Sequence, residues 1–141
     1  MTNIKQILHV FLLSLFLGNT ALAGETTPES LAGTTKVSAE EVIGLLEKHA
    51  DLVLIDARKS SDHNKGYIEG SVALPNTDTT AESLAKHIKT KNTPIVFYCN
   101  GVKCGRSVES AKKALDAGYS KVYWFRGGWE EWTNKGLPVT K

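Results

Sequence analysis

The chain has 141 residues, 41% of them hydrophobic and 23% charged, with 17 basic against 15 acidic side chains. That composition excludes disorder, a collagen-like repeat and a polytopic membrane protein. A net charge of +2 argues against nucleic acid or an anionic membrane surface as a partner, and two cysteines are too few for a disulfide scaffold.

Residues 1–23 read as a targeting segment. Met1 to Gln6 is short and basic, Ile7 to Leu17 is almost wholly apolar, and Gly18-Asn19-Thr20 breaks the run. Ala21-Leu22-Ala23 then offers the small residues that a signal peptidase reads. The apolar run is too short for a membrane span of about 20 residues, and no cysteine follows it to carry a lipid. Cleavage after Ala23 is therefore expected, with export to the periplasm or the medium and no membrane attachment afterwards. Residues 24–35 are polar, with Pro28 and Gly33, and predict a flexible lead-in to one domain over residues 36–141.

Within that domain, Ser38 and Glu41 form a capping box ahead of the apolar stripe Val42, Ile43, Leu45 and Leu46, which predicts a helix to about His49. Leu52 to Ile55 is a continuous apolar run ending at Asp56, the pattern of a strand buried on both faces. Ser60 to Gly70 predicts a short helix and turn, Val72 to Leu74 a short strand, and Thr80 to Lys89 a helix. Pro94 opens a second buried strand through Tyr98, at a place where its missing N–H is tolerated. After Cys99 to Ser107, a helix through Ala111, Ala114 and Leu115 stops at Gly118. Lys121 to Phe125 predicts a third strand, Gly127 and Gly128 a turn, and Trp129 to Lys135 a helix closed by Gly136. The alternation predicts an α/β fold, a central parallel β-sheet flanked by helices on both faces. Ligands in such sheets bind at the carboxyl ends of the strands, and Cys99 falls at one.

A cysteine after a buried strand, followed by a glycine-containing loop that opens a helix, has a chemical logic. Loop and first-turn N–H groups converge on an anion, and the same field lowers a thiol pKa from its reference of about 8.5 to give a thiolate nucleophile. Gly101 and Gly105 leave the backbone free to curl round that thiolate, while Arg106 and Lys103 offer positive charge to an anionic substrate. A buried structural cysteine at a strand end fits the spacing equally well.

Four stretches taken together resemble the single-domain rhodanese family of sulfurtransferases. They are Leu54-Ile55-Asp56-Ala57-Arg58; Gly66 to Ser71 with Leu74-Pro75; Tyr98-Cys99 with Arg106-Ser107; and Gly127-Gly128, Trp132 and Gly136 to Val139. The resemblance spans Val37 to Val139. It implies a rhodanese-like domain in which Cys99 accepts sulfane sulfur as a persulfide and passes it to a thiol, cyanide or a protein acceptor. The implied donor is a small sulfur-containing anion or a persulfide, and no cofactor or metal is needed. Between Cys99 and Arg106 lie six residues, Asn100 to Gly105, two more than in the usual sulfurtransferase loop. The longer loop leaves open a thiol–disulfide or oxyanion-reducing enzyme, or a non-catalytic sulfur-carrier module.

Cys104, inside the loop, admits three readings: a resolving cysteine that forms a reversible disulfide with Cys99, a second sulfur-accepting thiol, or a small residue filling space. Two cysteines so spaced, with His63 as the only third ligand, fit no common zinc site. Asp56 and Arg58 are expected to support loops at strand ends, His63 to be solvated in a polar turn, and Trp124, Trp129 and Trp132 to pack in the core.

Overall fold

The apolar runs Val53–Asp56 and Ile95–Tyr98 lie side by side, in register and parallel, at the centre of the molecule. The computed structural model describes residues 26–141, so the expected targeting segment lies outside the described residues. In chain order the elements are β1 (Thr35–Lys36), α1 (Ala39–Lys48), β2 (Val53–Asp56), α2 (Ser60–His63), β3 (Tyr67–Ile68) and β4 (Val72–Ala73). A 3-10 turn at Asn76–Asp78 leads to α3 (Ala81–His87), β5 (Ile95–Tyr98), α4 (Arg106–Asp116), β6 (Val122–Phe125), α5 (Gly128–Asn134) and β7 (Val139–Thr140).

Five strands form one sheet in the order β1-β6-β5-β2-β4, and every pairing in it is parallel. Because successive side chains point to opposite faces of a strand, the sheet divides its apolar residues into two layers. Ile55, Ile95, Phe97, Val122 and Trp124 pack with Leu84 and Ile88 and with Ala111 and Ala114 of α4. Leu54, Val96, Tyr98 and Phe125 pack with Ala39 and Val42 of α1 and Trp132 of α5. The fold is the α/β sandwich that the alternation of elements predicts.

Helix boundaries follow local chemistry. Ser38 and Glu41 cap α1 reciprocally, with Glu41 N–H donating to Ser38 Oγ at 3.2 Å and Ser38 N–H to Glu41 Oε2 at 2.7 Å. Thr80 and Ser83 do the same for α3. At the end of α4 the chain turns through Gly118 at φ 91°, and Tyr119 N–H reaches back to Ala114 O at 3.1 Å, the long bond of a glycine-closed helix end.

Three features differ from the sequence reading. The stretch expected to be a flexible lead-in is docked against the domain: Leu31 is buried in the core, Thr35–Lys36 adds an edge strand to β6, and Thr27 is tied to the loop after β5. Leu31 is the one large aliphatic residue of the stretch, so no periodicity announces it. Second, β3 and β7 pair antiparallel as a separate two-stranded sheet, too short at two residues each for an alternating pattern. Third, the turn at Asn76–Asp78 is helical where the sequence reading left a connection.

Candidate active site

The end of β5 delivers Cys99 to the carboxyl edge of the sheet, beside the end of β2, where Ala57 N–H donates to Tyr98 O at 2.9 Å. Cys99 is only 2% exposed. Beyond it the chain makes a turn closed by Cys104 N–H to Gly101 O at 3.0 Å, then enters α4 at Gly105, which has no side-chain cap. Cys99 and Cys104 are disulfide-bonded, with their Cα atoms 6.1 Å apart. Cys104 is half-buried, so the pair joins a covered residue to a more accessible one.

Two flanking segments hold this loop. From α5, Trp129 N–H donates to Cys99 O and Glu130 N–H to Asn100 O, both at 2.8 Å. That approach requires Gly128: it sits at φ 55°, and a Cβ there would strike the Cys99 carbonyl oxygen. From the amino-terminal side, Thr27 N–H and Oγ1–H both donate to Val102 O, at 2.7 and 2.8 Å. Arg126, directly after β6, holds that strap through Thr27 O and Pro28 O, each at 2.9 Å. A shallow hollow of about 370 Å³ opens beside the loop, lined by Thr26, Thr27, Pro28, Lys103, Gly105 and Val108.

Beneath the loop lies a buried ionic network at the end of β2. Arg58 Nη2 donates to Asp56 Oδ2 at 2.7 Å and Arg58 Nε to Asp56 Oδ1 at 2.9 Å, a two-pronged pair that fixes orientation as well as charge. Asp56 Oδ2 also accepts from Tyr98 Oη at 2.8 Å and lies 2.9 Å from His63 Nδ1. Burial alone would raise the Asp56 carboxyl, but hydrogen bonds from Arg58 and His63 and the Arg58 charge hold it below the usual carboxylate range. Burial and the Asp56 charge push the Tyr98 phenol well above its ordinary value, so Tyr98 stays a neutral donor. Arg58 Nη2 reaches Gly66 O at 2.7 Å, and its guanidinium lies 4.5 Å from the centre of the Trp129 ring. The network therefore connects β2, the turn before β3 and the residue of α5 that holds the Cys99 carbonyl.

Of the residues read from the sequence as lining the site, Gly105 and Lys103 are exposed on the loop. Arg106 opens α4, but its Nη1 donates to Asn76 Oδ1 at 2.9 Å, so its charge is anchored on the 3-10 turn. Gly101 differs from the reading: it is buried, and the Glu130 carboxylate fills the space a side chain would take. His63 differs too, bonded to Asp56 and stacked 4.1 Å from the Tyr67 ring instead of solvated. Thr27, Gly128, Trp129 and Glu130 were missed as loop supports. The available signal is the pair of glycines at 127 and 128, which the sequence reading takes as a turn and as part of the family resemblance but not as a brace for the loop. Trp124 and Trp132 are buried, with Trp124 Nε1 donating to Ser107 Oγ at 3.0 Å. Among the described residues no group of three or more His, Cys, Asp and Glu is placed to hold a metal ion, and no helix is long and apolar enough to cross a membrane.

A parallel sheet flanked by helices, with Cys99 at its carboxyl edge on a loop that opens a helix, defines an α/β domain whose cysteine lies where such sheets bind ligands. Residues 38–135 match the rhodanese-like domain, and the chain belongs to that family. It is 31% identical over 98 residues to thiosulfate sulfurtransferase GlpE of Tolumonas auensis, covering 70% of this chain and 87% of that protein. It is 28% identical over 117 residues to the uncharacterized protein YibN of Escherichia coli K12, covering 82% and 80%. Among solved structures, thiosulfate sulfurtransferase from Pseudomonas aeruginosa superposes with a TM-score of 0.63 at 25% identity, over 76% of this chain and 20% of that one. The polysulfide-sulfur transferase homodimer of Wolinella succinogenes gives a TM-score of 0.63 at 24% identity, over 77% and 80%, which speaks to fold alone.

Proposed function

We propose that the protein is an exported sulfurtransferase in which Cys99 takes sulfane sulfur from a small anionic or persulfide donor and hands it to a thiol, cyanide or protein acceptor. The observation that carries this reading is the position of Cys99, at the carboxyl end of β5 in a chain of the rhodanese-like family. The loop after Cys99 leads into the uncapped start of α4, and a helix start favours a thiolate and an anionic leaving group. In the reaction the Cys99 thiolate attacks the outer sulfur of thiosulfate, the donor S–S bond breaks, and sulfite leaves with the electron pair. The persulfide then meets a nucleophile, which removes the outer sulfur and restores the thiolate.

The disulfide makes reduction a prerequisite for transfer. With Cys99 covered and bonded to Cys104, a donor has no thiolate to meet, so transfer begins only after a reductant opens the pair. An oxidising compartment makes that requirement meaningful; cleavage after Ala23, outside the described residues, would place the protein there. Amino-terminal sequencing of protein recovered from the periplasm should begin at Gly24.

Intact mass spectrometry after thiosulfate treatment tests the chemistry. The reduced protein should release sulfite, the oxidised protein should be inert, and Cys99→Ser should fold and release none. Sulfite release by Cys99→Ser would move the site to Cys104 and overturn the assignment.

A further inference from the structure

Resting on the reading of Cys99 as the sulfur acceptor, we propose that Cys104 resolves the Cys99 persulfide and expels its outer sulfur as hydrogen sulfide, so that the domain works as a dithiol-driven sulfane reductase. The Cys104 thiolate attacks Cys99 Sγ. The bond from Cys99 Sγ to the outer sulfur breaks, and that sulfur leaves with the electron pair and is protonated. Two cysteine thiols are oxidised to one disulfide while the sulfane sulfur is reduced. An external dithiol then attacks the disulfide and closes its own, returning both cysteines to thiols. Across the cycle, thiosulfate and a dithiol become sulfite, hydrogen sulfide and a disulfide.

The disulfide in the structure is the product of that resolving step. A Cα separation of 6.1 Å lies within the range of roughly 4.4–6.8 Å that a disulfide tolerates, so Cys104 reaches Cys99 with the sheet and α4 in place. The loop is also held ready. Trp129 fixes the Cys99 carbonyl, Thr27 fixes Val102, and the turn bond from Cys104 N–H to Gly101 O folds the second cysteine back toward the first. A tether this short presents Cys104 at an effective concentration on the order of millimolar or higher. A freely diffusing acceptor at micromolar concentration loses that competition.

Exposure gives the cycle its direction. Cys99 is 2% exposed whereas Cys104 is half-buried, and the neighbours of Cys104 border the open hollow beside Lys103 and Gly105. A reductant meets Cys104 Sγ first. Cys99 is then the sulfur that leaves, as a thiolate, when the incoming thiol bonds to Cys104. Regeneration thus returns Cys99 free and charged for the next donor.

A single turnover separates the steps. Wild-type protein is reduced, freed of reductant and given one equivalent of thiosulfate with no acceptor. The expected result is sulfite and hydrogen sulfide in equal amounts and a protein lighter by two hydrogens. Cys104→Ser should release sulfite, keep the mass of one added sulfur atom, and yield hydrogen sulfide only when dithiothreitol is added. Sulfite release from the wild type with the sulfur atom retained and no hydrogen sulfide overturns the proposal while the transferase reading stands. No sulfite from either protein overturns both.

Discussion

Asp56→Asn removes the charge that lets Arg58 sit buried beside the end of β5. Asp56 and Arg58 are 1% and 2% exposed, and the carboxylate takes both prongs of the guanidinium along with Tyr98 and His63. Asparagine fills the same volume but offers one acceptor oxygen and an NH2 group that must oppose a donor. Losing one partner of a buried pair costs about 3–5 kcal/mol, against a total of about 5–15 kcal/mol for a domain. At this size each kcal/mol lowers Tm by about 4 °C, so the variant should melt about 12–20 °C lower. Urea titration of the reduced protein at neutral pH measures the difference directly. Because the folded-state carboxyl is held below its ordinary value, its contribution is complete above the unfolded pKa of about 4 and fades as pH falls through the folded value. The gap between wild type and variant should therefore close in acid. A loss under about 1 kcal/mol at neutral pH, or a gap that persists undiminished in strong acid, would refute the reading of Asp56 as the counter-charge of Arg58.

The other outcomes concern the supports of the loop. Gly128→Ala should cost about 2 kcal/mol or more, since it combines a left-handed backbone with a Cβ against the Cys99 carbonyl; denaturant midpoints check this, and a neutral variant would mean that α5 does not brace the loop. Arg126→Ala frees the strap at Thr27 and Pro28 and should cost about 1–2 kcal/mol, with residues 26–34 becoming the first site of limited proteolysis. Its ion pair with Glu29 adds little, because Glu29 is exposed. Glu130→Gln removes the negative charge packed against Gly101 and should lower KM for thiosulfate a few-fold with kcat unchanged, an effect that shrinks in high salt.

The central sheet was legible because burial on both faces forces unbroken apolar runs. Val53–Asp56 and Ile95–Tyr98 carry such runs, and local signals mark the capped start of α1 and the glycine-closed end of α4. What escaped is structure held by long-range partners instead of local pattern. The β3–β7 pair joins Tyr67–Ile68 to Val139–Thr140, two dipeptides whose only shared property is that the fold brings them together. The amino-terminal strap escaped for the same reason. Its order comes from Arg126 and Val102, 99 and 75 residues away from Thr27.

The site divides along the same line. A cysteine at the end of a buried strand is a local feature, and so is the aspartate–arginine spacing that lets Arg58 fold back on Asp56. The shape of the loop is not local. Its six residues from Asn100 to Gly105 are braced from Thr27, Trp129 and Glu130, and none of those contacts leaves a periodic trace. The consequence is chemical. With Gly101 covered by Glu130 and Arg106 tied to Asn76, the longer loop does not simply widen an anion cradle. It carries a second cysteine to within bonding reach of the first, so in the function proposed above the fate of a Cys99 persulfide, rather than the binding of its donor, is the point at which this domain would depart from the shorter-looped pattern it resembles.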